Sequence, residues 1–353
     1  MNLRPVLLSA LFWVSTSLAA DHAVILAYHH VSEDTPALTS VTPDTFAEHL
    51  QYLQQGGFQV WPVGKILDRL EAGQTLPVNT VALSFDDAYR SVYDEAFPRM
   101  RRQNWPLTLF VNTDAIDRGY KNYMSWEQIR ELVAAGAEVG NHSQNHAHLV
   151  RRADGESEAQ WRQRIIADIK HAEQRLIDET GIKPSLFAYP YGEYSDEVKQ
   201  IVSSLGYRGV AQHSGAVGSV SDLLAVPRFP MSSGYANMNR FATSVHSRPL
   251  PVLSAVSAPP TAPTDRIDHL QLFLGQADYR PGQLACYSSS GQSLPTEIQS
   301  QQPLHIQIDL AHEQSAGRNK INCTAASASE SGFFFSYSYQ WLVKKPDGSW
   351  YRE

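Results

Sequence analysis

Between Ala23 and about Val245, short apolar runs bounded by polar turns alternate with stretches whose apolar positions recur at helical period. The runs read as strands and the periodic stretches as amphipathic helices. Strands are expected at Ala23–Tyr28, Thr80–Phe85, Leu107–Asn112, Ala137–Asn141, Ser185–Tyr189 and Tyr207–Gln212. Ser125 opens one helix, with Gln128 at capping-box spacing and Gly136 as its stop. In the longest helix Trp161, Ile165, Ile169, Ala172 and Leu176 line one face until Gly181 and Pro184 end it. Strands alternating with helices in this way specify an α/β fold built on parallel strands.

The rhythm breaks at Ser247–Thr264, where Pro249, Pro251, Pro259, Pro260 and Pro263 fall in a stretch without hydrophobic period, as expected of a semi-rigid linker. Beyond it, His269–Leu274, Leu304–Leu310 and Phe333–Val343 alternate or are rich in aromatics, and Gly, Ser and Asn separate them. That pattern predicts a small all-β, sandwich-like domain. Tyr287, Tyr337, Tyr339, Trp341 and Trp350 within it suit either the core face of a sheet, the favoured reading, or a sugar-binding platform. The expected division is therefore 1–20, 21–250, a linker at 251–265, and 266–353.

Length and composition agree with two folded domains. A chain of 353 residues can bury a large core, and 42% hydrophobic against 18% charged residues excludes wholesale disorder. A formal net charge of -7 argues against nucleic acid as the main partner. Arg4, the apolar stretch Pro5–Val14 and the small residues near Ala19 and Ala20 read as an export signal over residues 1–20. No later segment has the apolar length of a membrane span, so the mature chain is expected to carry none and to be periplasmic or secreted. Cys286 and Cys323 are the two cysteines, and in an oxidising compartment they are expected to pair.

The chemistry-bearing residues cluster where expected strands end. Ser84-Phe85-Asp86-Asp87 closes one strand, Asn141-His142-Ser143-Gln144-Asn145-His146 another, and Tyr189-Pro190-Tyr191-Gly192 a third. In parallel α/β folds those ends share one rim, where active sites lie. His142 and His146 are four positions apart, so a single helical turn would aim both imidazoles at one divalent metal. One aspartate would complete a facial triad with open positions while its neighbour stays unligated and accepts a proton from water. Each piece alone is weak. An aspartate pair usually caps a turn, and two such histidines are more often solvated or satisfied in a core. Their joint placement at strand ends is what points to hydrolysis of an amide or ester.

These residues also carry a resemblance. Ser84-Phe85-Asp86-Asp87 resembles the T-F-D-D motif, and His142-Ser143-Gln144-Asn145-His146 the H-[ST]-x-x-H motif, of the NodB-homology polysaccharide deacetylases, carbohydrate esterase family 4. The resemblance covers roughly Asp21 to Pro251 and implies a distorted (β/α)7 barrel. It further implies that Asp86 is the general base, and that Asp87, His142 and His146 hold one divalent ion, zinc first, with Ni2+, Co2+ or Fe2+ as other ions such sites accept. Tyr189, Pro190 and Tyr191 match the end of the family's R-x-P-Y motif, whose tyrosine N–H is the oxyanion donor. Ala188 stands where the family has the arginine that tethers the base. The branch acting on poly-β-1,6-N-acetylglucosamine shares that loss and a Tyr-His like Tyr28-His29.

A late L-x-H motif, the family's usual source of the general acid, is not found. His246 lies near the right end of the domain, but His29, at the end of the first strand, is the better placed candidate. His148 reads as a bystander, Tyr120 and Tyr123 as candidate sugar-stacking rings, and Trp126 as core. The expected activity is removal of N-acetyl groups from an N-acetylglucosamine polysaccharide of β-1,6 or chitin-like type, by a monomer. Polysaccharide O-deacetylation and non-catalytic polysaccharide binding are the alternatives.

Overall fold

The protein is described from a computed structural model, covering residues 19–311 and 314–352. The export signal expected at 1–20 lies outside the described residues except for Ala19–Ala20, a short strand paired with Leu76–Pro77. Six consecutive parallel strands run through a nine-stranded main sheet: β1 (His22–Tyr28), β2 (Thr80–Phe85), β3 (Thr108–Val111), β4 (Glu138–Asn141), β5 (Leu186–Ala188) and β6 (Arg208–Val210). They lie side by side in sequence order, so every C-terminal end reaches the same rim.

Period-two alternation sends Val24, Leu26 and Tyr28 of β1 into one apolar cluster and Ala23 and Ile25 into another. Helix α1 (Pro43–Gln55) adds Phe46, Leu50 and Leu53 to the first cluster, and α2 (Val63–Glu71) adds Ile66, Leu67 and Leu70 to the second. Burial on both faces explains why β2 is apolar or hydroxylic throughout. Helix α3 (Trp126–Ala134) starts on the expected capping box of Ser125 and Gln128. Helix α4 (Glu158–Thr180) buries all five of its expected apolar positions and stops at left-handed Gly181.

The sheet curls. Beyond β6, strand β7 (Phe229–Pro230) returns to pair with β1, while Val226 just before it bridges Val210 of β6. Residues 226–230 thus touch the first and the last of the six parallel strands, which makes a curled α/β half-barrel rather than an open layer. Packing inside the curl is tight at Gly140 of β4, where a Cβ would lie 2.4 Å from the buried Phe110 ring and 3.3 Å from the Leu186 carbonyl oxygen. Gly140→Ala is expected to cost about 1–3 kcal/mol. A denaturant midpoint identical to that of the parent would show that the ring has room to move.

The C-terminal part contains two four-stranded sheets. One runs β8 (Val252–Ser257), β9 (His269–Leu274), β12 (Leu304–Asp309) and β11 (Thr296–Gln301), in that spatial order. The other runs from residues 248–249 through β14 (Phe334–Val343) and β13 (Gly317–Ala326) to β10 (Ala285–Ser288). Leu270, Leu272, Ile306, Ile308, Ile321 and Ala325 share one core. Cys286 and Cys323 are register partners and form a disulfide inside that core. One expectation fails. The stretch expected as linker contains β8, because Val252–Ser257 holds an extended pairing with β9 and prolines fall only on its flanks, a tolerated arrangement at a sheet edge. Tyr337, Tyr339 and Trp341 are partly buried against this core, as favoured.

Candidate active site

Asp86 continues the β2 register, its N–H donating to the Tyr28 carbonyl at 2.9 Å, and the chain then turns through left-handed Asp87 (φ 71°) and Ala88 (φ 56°). Strand alternation followed by that turn gives the two carboxylates different partners. Asp87 faces His142 and His146, with Oδ1 at 3.5 and 3.3 Å from their Nε2 atoms. The Asn112 amide donates to the same oxygen at 3.2 Å and orients it.

The expected single helical turn at 142–146 does not occur. Ser143 (φ 66°) and His146 (φ 54°) are left-handed, and the loop is held by the Ser143 N–H donating to Asn141 Oδ1 at 2.8 Å and the His146 N–H donating to Ser143 Oγ at 3.0 Å. Side-chain acceptors next to these N–H groups outcompete the helical ladder. The imidazoles converge nonetheless, their centroids 4.9 Å apart.

The donor set of Asp87, His142 and His146 fits a divalent ion. One ligand atom from each lies within 4.8 Å of the others. His142 is fully buried, and its Nδ1 pairs with the Ala188 carbonyl at 2.8 Å while Nε2 has no hydrogen-bond partner. A ring that donates through Nδ1 presents its Nε2 lone pair inward, as metal-ligating histidines do. Burial raises the Asp87 pKa, but the adjacent imidazoles of His142 and His146 outweigh it and hold the carboxylate well below its usual range. Burial pushes His146 down to about 4, with the His142 charge adding to it, which keeps that imidazole neutral.

Asp86 is gripped by Arg228, and both side chains are fully buried. The guanidinium donates bidentately, Nη1 to Oδ1 at 2.7 Å and Nη2 to Oδ2 at 2.8 Å. It also donates through Nε to the Ala211 carbonyl at 2.8 Å and through Nη1 to Ser84 Oγ at 3.1 Å. Burial alone raises the Asp86 pKa; the Arg228 charge and hydrogen bonds overcome it and hold the group at about 2. Arg228 therefore occupies the tethering role left open by Ala188, reaching the aspartate from the 226–230 segment. The signal for it was an arginine inside the apolar, proline-flanked run Ala225–Met231. Gln212, at the end of an expected strand, adds a 3.1 Å bond from Nε2 to Asp86 Oδ2.

His29 Nε2 lies 3.9 Å from Asp86 Oδ2, inside the site. His246 does not reach it, being engaged with the Tyr52 hydroxyl at 3.2 Å. The Tyr191 backbone is left-handed (φ 57°), and its ring lies edge-on to His146 at 4.4 Å and stacked on His148 at 3.9 Å. His148 pairs with Glu193 at 2.8 Å and is no ligand.

Tyr189 departs from expectation. Its side chain is fully buried beside Phe187, with the hydroxyl donating to the Leu224 carbonyl at 2.8 Å, so it faces the core and not a substrate. Pro190, also buried, shapes the turn. Tyr120 and Tyr123 line a cleft of about 270 Å³ with Asp87, Tyr89, Asn112 and His146. Trp126 lies outside that cleft, donating to Asp117 at 2.8 Å. The larger cleft, about 850 Å³, runs between the α/β and β parts and includes none of the triad.

A curled parallel sheet with an Asp-His-His triad and a second carboxylate at its C-terminal rim defines a polysaccharide deacetylase domain of the NodB, carbohydrate esterase 4 type. Residues 73–210 match the family model described as polysaccharide deacetylase, so the chain carries that domain. A poly-beta-1,6-N-acetyl-D-glucosamine N-deacetylase of Escherichia coli (strain K12) is 24% identical over 259 residues, which cover 63% of this chain and 38% of that protein. The chain thus spans well under half the length of that relative. The protein of the same description in Staphylococcus epidermidis is 25% identical, covering 60% of this chain and 80% of its own. The solved structure of IcaB from Ammonifex degensii aligns with a TM-score of 0.56 at 26% identity, covering 65% of this chain and 99% of its own.

Proposed function

We propose that this chain is an exported deacetylase that removes N-acetyl groups from a β-1,6-linked N-acetylglucosamine polymer. One observation carries the reading. A triad with an orphaned imidazole nitrogen lies beside a second carboxylate that a buried arginine keeps ionised. The names of the relatives from Escherichia coli and Staphylococcus epidermidis support the polymer.

A divalent ion held by Asp87, His142 and His146, with zinc as the proposed ion, would polarise an acetyl carbonyl and acidify water. Asp86 is the group that accepts the proton of the attacking water, since Arg228 and Gln212 fix its orientation and Arg228 keeps it charged. The Tyr191 N–H donates to the developing oxyanion. His29 protonates the departing amine, and Tyr120 and Tyr123 offer rings for stacking on sugars. We also read residues 226–230 as the strand that completes a distorted (β/α)7 barrel, and the two C-terminal sheets as a separate domain acting with it.

Acetate release should be measured on β-1,6-linked N-acetylglucosamine oligomers, chitooligosaccharides and peptidoglycan. Release is expected from the first, to fall more than about tenfold with a chelator and to return when zinc is restored. Equal rates with and without chelator, or no release after metal reloading, sinks the reading. Faster release from chitooligosaccharides sinks the choice of polymer.

A further inference from the structure

Strands β13 and β14 are central neighbours in their sheet, and their two faces differ. One face carries Ile321, Cys323 and Ala325 into the β core. The other carries Arg318 and Lys320 on β13, with Gln340 directly opposite Lys320 on β14. The outer face of such a sheet is ordinarily solvated, but here all three polar side chains reach backbone carbonyls of the α/β part. Arg318 Nη1 donates to the Tyr191 carbonyl. Gln340 Nε2 donates to the Gly192 carbonyl at 2.6 Å, in a buried setting. Lys320 Nζ donates to the Gln212 carbonyl at 2.7 Å, and the Gln212 side chain bonds Asp86. Near the C-terminal end, the Tyr351 hydroxyl adds a 2.5 Å bond to Glu193.

The tied segment is one that needs holding. Tyr191 and Gly192 are consecutive left-handed residues, an arrangement a tyrosine disfavours without outside support. The fit is close, since a Cβ on Gly192 would come within 2.9 Å of Arg318 Nη1 and 2.7 Å of the Gln212 Cβ. The Gly192 carbonyl shares its peptide plane with the Glu193 N–H, which donates to the Pro190 carbonyl at 3.1 Å, and that carbonyl shares its plane with the Tyr191 N–H, so the ties bear on the direction of the Tyr191 N–H through this bond.

We infer that Arg318 and Gln340 are positioning residues of the deacetylation reaction: through the Tyr191 and Gly192 carbonyls, the β part holds the oxyanion donor in its working orientation. The inference rests on the deacetylase reading for its chemistry, and on the hydrogen bonds alone for its geometry. The β part thereby completes the active site without touching substrate.

The test uses the full chain with Arg318→Met and Gln340→Met, singly and together, because methionine keeps side-chain length and removes the donors. In the double variant kcat for acetate release from a β-1,6-linked oligomer is expected to fall about 10²-fold, the size of effect that loss of an aligned donor produces. KM stays within about twofold and bound zinc is unchanged, since neither residue is placed against substrate or ligands. Arg318→Lys recovers most of the rate. Hydrogen exchange across residues 187–195 is expected to quicken in the double variant. An unchanged kcat in an active parent, a loss carried by KM, or unchanged exchange overturns the inference. If the double variant fails to fold, the single variants decide it by the same criteria. A parent that releases no acetate from any polymer counts against the deacetylase reading, and the exchange measurement still decides the positioning.

Discussion

Asp86→Asn is expected to reduce acetate release by about 10²–10⁴-fold while leaving zinc stoichiometry unchanged. The substitution is close to isosteric, removing the charge and proton affinity and keeping one acceptor for Arg228. The triad uses the other aspartate, whose Oδ1 lies 3.3 and 3.5 Å from the two histidine nitrogens. Asp87→Asn is the companion measurement, and it should lower metal affinity together with rate. Parallel loss of metal in both variants would show that the roles of the two neighbours have been assigned wrongly. Full activity in Asp86→Asn would remove it from proton transfer altogether.

Arg228→Met carries the second large effect, and it acts on two quantities at once. Breaking a buried ion pair by deleting one partner strands the other charge in a low-dielectric interior, at a cost of about 3–5 kcal/mol. The stranded group here is Asp86, whose pKa burial would raise once the guanidinium that holds it at about 2 is gone. The carboxyl then protonates at higher pH and loses its capacity to accept. In the parent the sign is that of a depressed carboxylate: the pairing stabilises the fold above the ordinary aspartate range and is lost as pH falls toward 2. Denaturant unfolding and acetate release should therefore both fall in Arg228→Met. The double variant Asp86→Asn/Arg228→Met should recover part of the stability and none of the rate, because the two side chains form one unit. A stable, active Arg228→Met would mean that Ser84 or Gln212 suffices to orient the base.

Much of the fold was legible because its strands are buried on both faces and its helices are capped. Apolar runs such as Thr80–Phe85 and the Ser125–Gln128 box state their structure locally. The aspartate and histidine clusters were legible for the same reason, since parallel strands place their ends together whatever the sequence between them. Arg228 was not, because an arginine inside an apolar run gains its meaning only from a carboxylate 142 positions away. The 142–146 loop was misjudged in shape but not in outcome. Spacing of four allowed convergence, and the backbone achieved it through side-chain capping rather than a helical turn. Strand β13 escaped detection because every second residue is basic or polar, as in Arg318, Lys320 and Asn322. Arg318 and Lys320 bond the neighbouring part of the molecule, which no local window reveals.

Of the eight non-glycine residues with positive φ among the described residues, five lie at the rim of the candidate site: Asp87, Ala88, Ser143, His146 and Tyr191. Each is a conformation that L side chains disfavour, so strained backbone is concentrated at this rim. Evolutionary drift toward greater thermal robustness would find its easiest gains there, by letting those turns relax, and each gain would loosen the alignment of the groups that act on substrate. The rest of the molecule, with its curled sheet and bridged β core, can tolerate such drift far better. The same imbalance sets the order of failure on heating: the catalytic geometry is expected to be lost before the scaffold that carries it.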